Sequence, residues 1–185
     1  TIVVAISAHG FHDGRHGFWG KHNPWDSSLR APFILRLPGG AAEPRAPSTR
    51  PASTAGVTGI TEHVDIFPTL CDLCGLEKPP YLEGRSLLPQ LEHPAGPGAR
   101  AAFAHRKHMW HDRIKAYEIA HTVRTERYRY TEYRNYQGEA IYRELFDYEV
   151  DPQERINRVR QAGYDEVEAE MRRLLKGYLA EQKDR

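Results

Sequence analysis

Four of the ten histidines, His9, His12, His16 and His22, fall within fourteen residues of one another, and Lys21 adjoins the last of them. Imidazole serves both as a metal ligand and as an acid–base group. A lysine ammonium is a compact positive charge of the kind that meets an oxyanion. Glycines at 10, 14, 17 and 20 let such a loop turn sharply. On residue types and spacing alone the cluster is either a metal or oxyanion site or a solvated histidine-rich loop, and both readings stand. Cys71 and Cys74 form a C-x-x-C with no second pair for a zinc knuckle. Both lie on the apolar side of an expected helix and read as small core residues.

The elements that must position this loop follow from the hydrophobic pattern. Residues 1–7 are β-branched and continuous, which suits a strand buried on both faces of a parallel sheet. The histidine-rich loop leaves its C-terminal end, where open α/β sheets place their ligands. PFILRL (32–37) reads as a second short strand. The stretch 38–58, rich in Pro, Gly, Ser, Thr and Ala, reads as a surface loop or insertion. A helix follows, with Asp65 as its cap, Pro68 in its first turn and Gly75 at its end. Residues 92–99 read as a linker.

The second half differs in character. IAHTVRTERYRYTEYR (119–134), broken at residues 125–127, is β-branched and aromatic and reads as a hairpin. IYRELFD (141–147) reads as another strand, ending at the Asp151–Pro152 turn. Tyr and Arg alternate over 127–136, a pattern expected to pack aromatics on one face and leave arginines in water on the other. Tyr164, Val167, Met171, Leu174, Leu175, Tyr178 and Leu179 form one stripe of a C-terminal amphipathic helix. The expected result is an antiparallel sheet covered by one helix.

The 185 residues carry a net charge of +1 with 28% charged residues, which gives no global drive toward nucleic acid or an anionic membrane. No apolar run approaches the roughly 20 residues that span a bilayer. The chain opens inside a hydrophobic run, which reads as a cut through a longer protein.

The run TIVVAISAHGFHDGRHGFWGKH (1–22) resembles a strand-and-loop segment of the sulfatase family, within the alkaline phosphatase-like superfamily. The resemblance continues in order through RAPFILRLPG (30–39), HVDIFPTLCDLCGL (63–76), GRSLLP (84–89), RTERYRYTEYR (124–134) and ELFDYEVDPQERIN (144–157). The spacing from the acidic-ligand position to the lysine is that of the iduronate-2-sulfatase-like branch. The resemblance implies an α/β, alkaline phosphatase-like fold. Residues 1–91 would be the C-terminal edge of the large catalytic domain, and residues 97–185 a small antiparallel sheet subdomain with a C-terminal helix.

It also implies a sulfuric ester hydrolase acting on sulfated small molecules or carbohydrates, exported to the periplasm or secreted. Lys21 would be the catalytic, sulfate-binding lysine, His16 and His22 would line the substrate pocket, and His9 would be a ligand to calcium. The family's usual Asp ligand is replaced by Ala8, whose methyl group cannot coordinate a hard cation. The formylglycine nucleophile, made from Cys or Ser in a C-x-P-S-R-type motif, would lie in a missing N-terminal half, because no such motif occurs here. Two alternatives accompany this reading: a phosphodiesterase or phosphonate hydrolase of the same superfamily, or an inactive, degenerate homologue.

Without the nucleophile motif, the 185-residue chain alone is expected to hydrolyse neither aryl sulfates nor aryl phosphates. Turnover of either ester that disappears in Lys21→Ala would overturn this.

Overall fold

The computed structural model describes residues 1–38, 59–94, 96, 98–111 and 115–183, so the proline-rich stretch 39–58 lies outside the described residues, as do 95 and 97 of the expected linker. The chain divides into two compact units, Thr1–Gly56 and Val57–Arg185.

In the first unit, β1 (Val3–Ile6) leads through the short strands β2 (His12–Asp13) and β3 (Trp19–Gly20) and the helical turn α1 (Asp26–Leu29) to β4 (Phe33–Arg36). The strands expected at 1–7 and 32–37 both form, and they pair with each other: Val3 faces Arg36 and Ile6 faces Phe33 in an antiparallel ladder. No parallel neighbour of β1 occurs among the described residues, and Val3 and Ile6 are exposed. The apolar run therefore marks a strand, and its one neighbour among the described residues, β4, runs antiparallel to it. β-branched residues suit either ladder, and composition reports a strand's surroundings rather than its neighbour's direction.

The second unit opens with a helical start built from two carboxylates. Glu62 caps a 3₁₀ turn, His63–Asp65, that runs into α2 (Ile66–Cys74). Its carboxylate takes the Asp65 N–H, while Asp65 returns a carboxylate oxygen to the Glu62 N–H at 2.9 Å, a reciprocal capping box. The cap is thus Glu62 rather than Asp65, because the 3₁₀ turn moves the helix start three residues upstream. The second Asp65 oxygen accepts the Arg85 N–H at 2.8 Å. Pro68 is buried in the first turn, and Gly75 ends the helix at φ 66°, both as the sequence implies. Beyond it lies α3 (Leu88–Glu92). Glu62 also accepts the Phe103 N–H at 2.7 Å, tying this helical start to the sheet that follows.

That sheet is a four-stranded antiparallel meander: β5 (Ala102–His111), β6 (Lys115–Arg124), β7 (Tyr128–Arg134) and β8 (Ala140–Asp147), in sequence order. The helix α4 (Asp165–Lys183) covers one face. Val123, Tyr130 and Leu145 from the sheet meet Met171 and Leu175 from α4, and the Phe103 and Tyr178 rings stack at 4.2 Å. Each such buried side chain contributes about 1.5–3 kcal/mol by leaving water. The expected hairpin, third strand and terminal stripe are all present; β5 is an additional strand.

β7 is buried on both faces, so its arginines are not simply solvated. Arg129 is 1% exposed, with its guanidinium 2.9 Å from Glu154 and donating to Tyr148 Oη at 2.7 Å. Aromatic side chains lie on both faces, and Tyr133 donates to Glu144 at 2.7 Å. Burial of both faces forces each polar group to find an internal partner.

Asp147 is the hub of this unit. Its carboxylate has no solvent exposure and takes both arms of the Arg127 fork at 2.8 Å, the Tyr164 hydroxyl at 3.1 Å and the Glu149 N–H at 3.1 Å. It thereby joins the end of β8 to the β6–β7 turn and to the residue that precedes α4. The Arg127 hydrogen bonds hold its carboxyl below the usual carboxylate range against the opposing effect of burial. Asn157 repeats the device one loop later, accepting the Leu145 and Val159 N–H groups and donating to Arg143 O.

Asp147→Ala is expected to destabilise the fold by about 2–3 kcal/mol, since it strands these donors. The native folded-state pKa lies below the unfolded value of about 4. Its contribution is therefore complete above that pH and is lost as pH falls through the folded value. Urea unfolding at pH 6 and pH 3 checks this: Asp147→Asn should lose less stability on acidification than the native chain.

Candidate active site

The loop after β1 is fixed first at its base. Ser7 donates its N–H to Pro32 O at 3.1 Å and its hydroxyl to His9 O at 2.7 Å. Ala8 is exposed, and His9 is half-buried with Nδ1 directed at the neighbouring Gly10 carbonyl. Gly10 lies directly on α1: its N–H reaches Ser28 O at 2.7 Å, and a Cβ there would sit 2.1 Å from Ser27 O. Only glycine admits so close a backbone approach.

Next comes a miniature hairpin in which His12 faces Gly20 and Asp13 faces Trp19. His16, at its tip, holds φ 55°, a left-handed conformation uncommon for a residue with a side chain. Gly20, at φ 97°, turns the chain out of β3 into Lys21.

His12 is the peg of this loop. It is fully buried, and its Nε2 lies 2.8 Å from Asn23 Oδ1 while the Ser27 hydroxyl lies 3.0 Å from each ring nitrogen. Asn23 Oδ1 also accepts the Trp25 N–H at 3.2 Å and the Ser28 hydroxyl at 3.3 Å. Because a backbone N–H must meet an oxygen, the amide orientation is set, and His12 Nε2 therefore carries the hydrogen that Asn23 Oδ1 accepts. Around it the His12, His16 and Phe18 rings close on Trp25, at centroid distances of 5.7, 4.5 and 5.3 Å. His12 thus holds the loop together and has both ring nitrogens engaged inside the protein.

The four remaining candidates divide by position. His16 leans on Trp25 yet stays exposed, and His22 is exposed beside Lys21. Lys21 is exposed and makes no hydrogen bond or ion pair among the described residues. Trp19, 76% exposed, lays its ring over Gly14. His9 sits apart from these at the strand end. Asn23, Trp25 and Ser27, which do most to fix the loop, match no motif; their only sequence signal is their polarity or size next to a histidine-rich run.

Calcium needs six to eight oxygen ligands, most of them anionic. Among the described residues no three His, Cys, Asp or Glu side chains come together as a metal set. Position 8 offers a methyl group and position 9 an imidazole. The described residues therefore do not make up a calcium site by themselves.

A short strand feeding a glycine-turned cationic loop, with a helix-covered antiparallel meander after it, is the C-terminal architecture of alkaline phosphatase-like hydrolases. Residues 14–181 match the family model described as N-sulphoglucosamine sulphohydrolase, C-terminal; the chain belongs to the sulfatase family. It is 33% identical to a Delta 4,5-hexuronate-2-O-sulfatase of Bacteroides thetaiotaomicron, over all of this chain and 36% of that protein. It is 29% identical to an N-acetylglucosamine-6-O-sulfatase of the same organism, over all of this chain and 31% of that protein. The chain spans about a third of the length of these relatives.

Among solved structures, one described as in complex with its substrate D-glucosamine-2-N,6-O-disulfate superposes with a TM-score of 0.77 at 28% identity, over 99% of this chain and 35% of that one. The phosphonate monoester hydrolase of Agrobacterium radiobacter superposes at 0.73, also at 28% identity, over 97% of this chain and 35% of that one. The fold alone is thus common to sulfur and phosphorus ester hydrolases, whereas the matching family model and both of these relatives are sulfatases.

Asn23→Ala removes the acceptor shared by His12, Trp25 and Ser28, at a cost of about 1–3 kcal/mol. Amide exchange around Lys21 should quicken while the β6–β7 ladder keeps its protection. Unchanged exchange in the loop would show that Asn23 does not hold it.

Proposed function

We propose that this chain is the C-terminal third of a sulfatase that hydrolyses a sulfate ester on an acidic sugar. The observation that carries the reading is Lys21. Its ammonium is exposed and has no hydrogen-bond or ion-pair partner among the described residues, at the end of a hairpin pinned by the buried His12–Asn23–Trp25 cluster. A charge that is held in position but not consumed by an ion pair suits electrostatic stabilisation of an incoming oxyanion. The sulfatase family model and the relatives acting on sulfated hexuronate and glucosamine support the substrate class.

In this reading water cleaves the ester bond to sulfur, releasing the sugar hydroxyl and hydrogen sulfate. Lys21 offsets charge on the non-bridging sulfate oxygens, and His16 and His22 bound the pocket beside it. The formylglycine and most ligands of the divalent cation belong to the remainder of the enzyme, and His9 is the one ligand candidate in this chain.

In the full-length enzyme, Lys21→Ala is expected to lower kcat/KM on a sulfated monosaccharide by about 10²–10³-fold. Lys21→Arg should recover part of the loss. An unchanged kcat/KM in Lys21→Ala would remove the assignment, and faster turnover of an aryl phosphonate than of any sulfate ester would favour the phosphorus chemistry instead.

A further inference from the structure

We propose that the sheet face beside α4 carries a second anion site, which takes a sulfate or carboxylate group of an acidic glycan. This rests on the sulfatase reading for its ligand. The site is built on a row of cross-strand neighbours. His105 faces His121, His121 faces Glu132, and Glu132 faces Arg143, across β5, β6, β7 and β8.

Glu132 is buried and is the one carboxylate in that row. Its Oε2 takes Arg134 at 2.5 and 3.1 Å, and its Oε1 takes the Tyr130 hydroxyl at 2.9 Å. Two further guanidiniums, Arg143 from β8 and Arg172 from α4, each stand with Nε 3.8 Å from that same Oε1. This is too long for a hydrogen bond. Arg143 Nε is buried and meets no acceptor.

Charge decides what the site is for. One carboxylate balances one guanidinium, and Arg134 already makes that bond. Arg143 and Arg172 are left as a positive surplus. Their side chains are 27% and 51% exposed. Lys176 extends the basic edge one helical turn along α4. Burial, then the charge of Arg134, push the His121 imidazole down to about 4, which leaves it neutral at pH 7 and able to donate a hydrogen without adding charge.

The packing beneath does not need these arginines, because the α4 contact is carried by Met171, Leu175 and the stacked Tyr178. Beside Glu132 Oε1 the two guanidiniums keep further N–H donors, which match the oxygens of a sulfate or carboxylate, and pairs of this kind are the strong hydrogen bonds of protein surfaces.

The test uses the full-length enzyme and a sulfated glycosaminoglycan tetrasaccharide, with binding read by calorimetry. The Arg143→Gln/Arg172→Gln double variant should bind the tetrasaccharide roughly ten-fold more weakly. Its melting temperature and its kcat/KM on a sulfated monosaccharide should stay at native values. Lys176→Gln serves as a milder variant should the double variant fold poorly, and its affinity should fall in the same direction. Arg155→Gln, an exposed arginine on another loop, should bind as the native enzyme does.

Unchanged affinity in both site variants overturns the proposal. So does an equal loss in Arg155→Gln, which would mean general charge attraction, and so does binding of inorganic sulfate alone with no gain from the glycan. If no sulfate ester is hydrolysed but tetrasaccharide binding still depends on the two arginines, the site stands and the catalytic reading falls.

Discussion

The second unit depends on the buried carboxylate of Asp147. A charged oxygen pair without solvent would be prohibitively costly unless each lone pair were met. Here Arg127, Tyr164 and the Glu149 amide supply the donors. Each donor comes from a different segment: the β6–β7 turn, the approach to α4 and the turn after β8. One buried charge that must be satisfied therefore dictates where three connections meet. The apolar contact between sheet and α4 supplies most of the stabilisation, but it does not choose among neighbouring registers as sharply as a buried carboxylate does.

The histidine-rich loop obeys the same rule at smaller scale. Asn23 Oδ1 gathers His12, the Trp25 amide and Ser28, and the aromatic rings close around them. This divides the histidines by role. The buried one fixes geometry, and the exposed ones, with Lys21, face solvent at the loop surface. A loop that carries a charge to a ligand needs such an internal peg, since a lysine stem has little rigidity of its own.

The β6–β7 hairpin, β8 and α4 were legible because aromatic and β-branched runs, and a 3.6-residue stripe, are direct imprints of half-buried elements. β5 was not. It is an edge strand whose AFAHRKHMWH carries Arg, Lys and three histidines, the composition that keeps an edge from pairing with other chains and also hides the alternation. The antiparallel pairing of β1 with β4 was not legible because residue type encodes burial and not orientation. The position of Lys21 in a cationic loop was readable from the resemblance, but the burial of His12 was not. It depends on Asn23 and Ser27, eleven and fifteen residues away, and nothing in a run of four histidines marks which one turns inward. Likewise Asp65 was the cap expected by type, and the 3₁₀ turn that moves the cap to Glu62 leaves no such mark in the sequence.

The strand order of the meander has a kinetic consequence. β5, β6, β7 and β8 pair only with their neighbours in sequence, so the sheet forms by successive closures of short turns. The β1–β4 ladder instead closes over a loop of more than twenty residues that contains the whole hairpin and α1. Loop closure is slower and entropically costlier as the separation grows. When the whole chain refolds, the meander, although later in the sequence, needs only local encounters, and α4 then docks across it. The loop that carries Lys21 must wait for its distant strand partner, so order in the cationic loop is the later event.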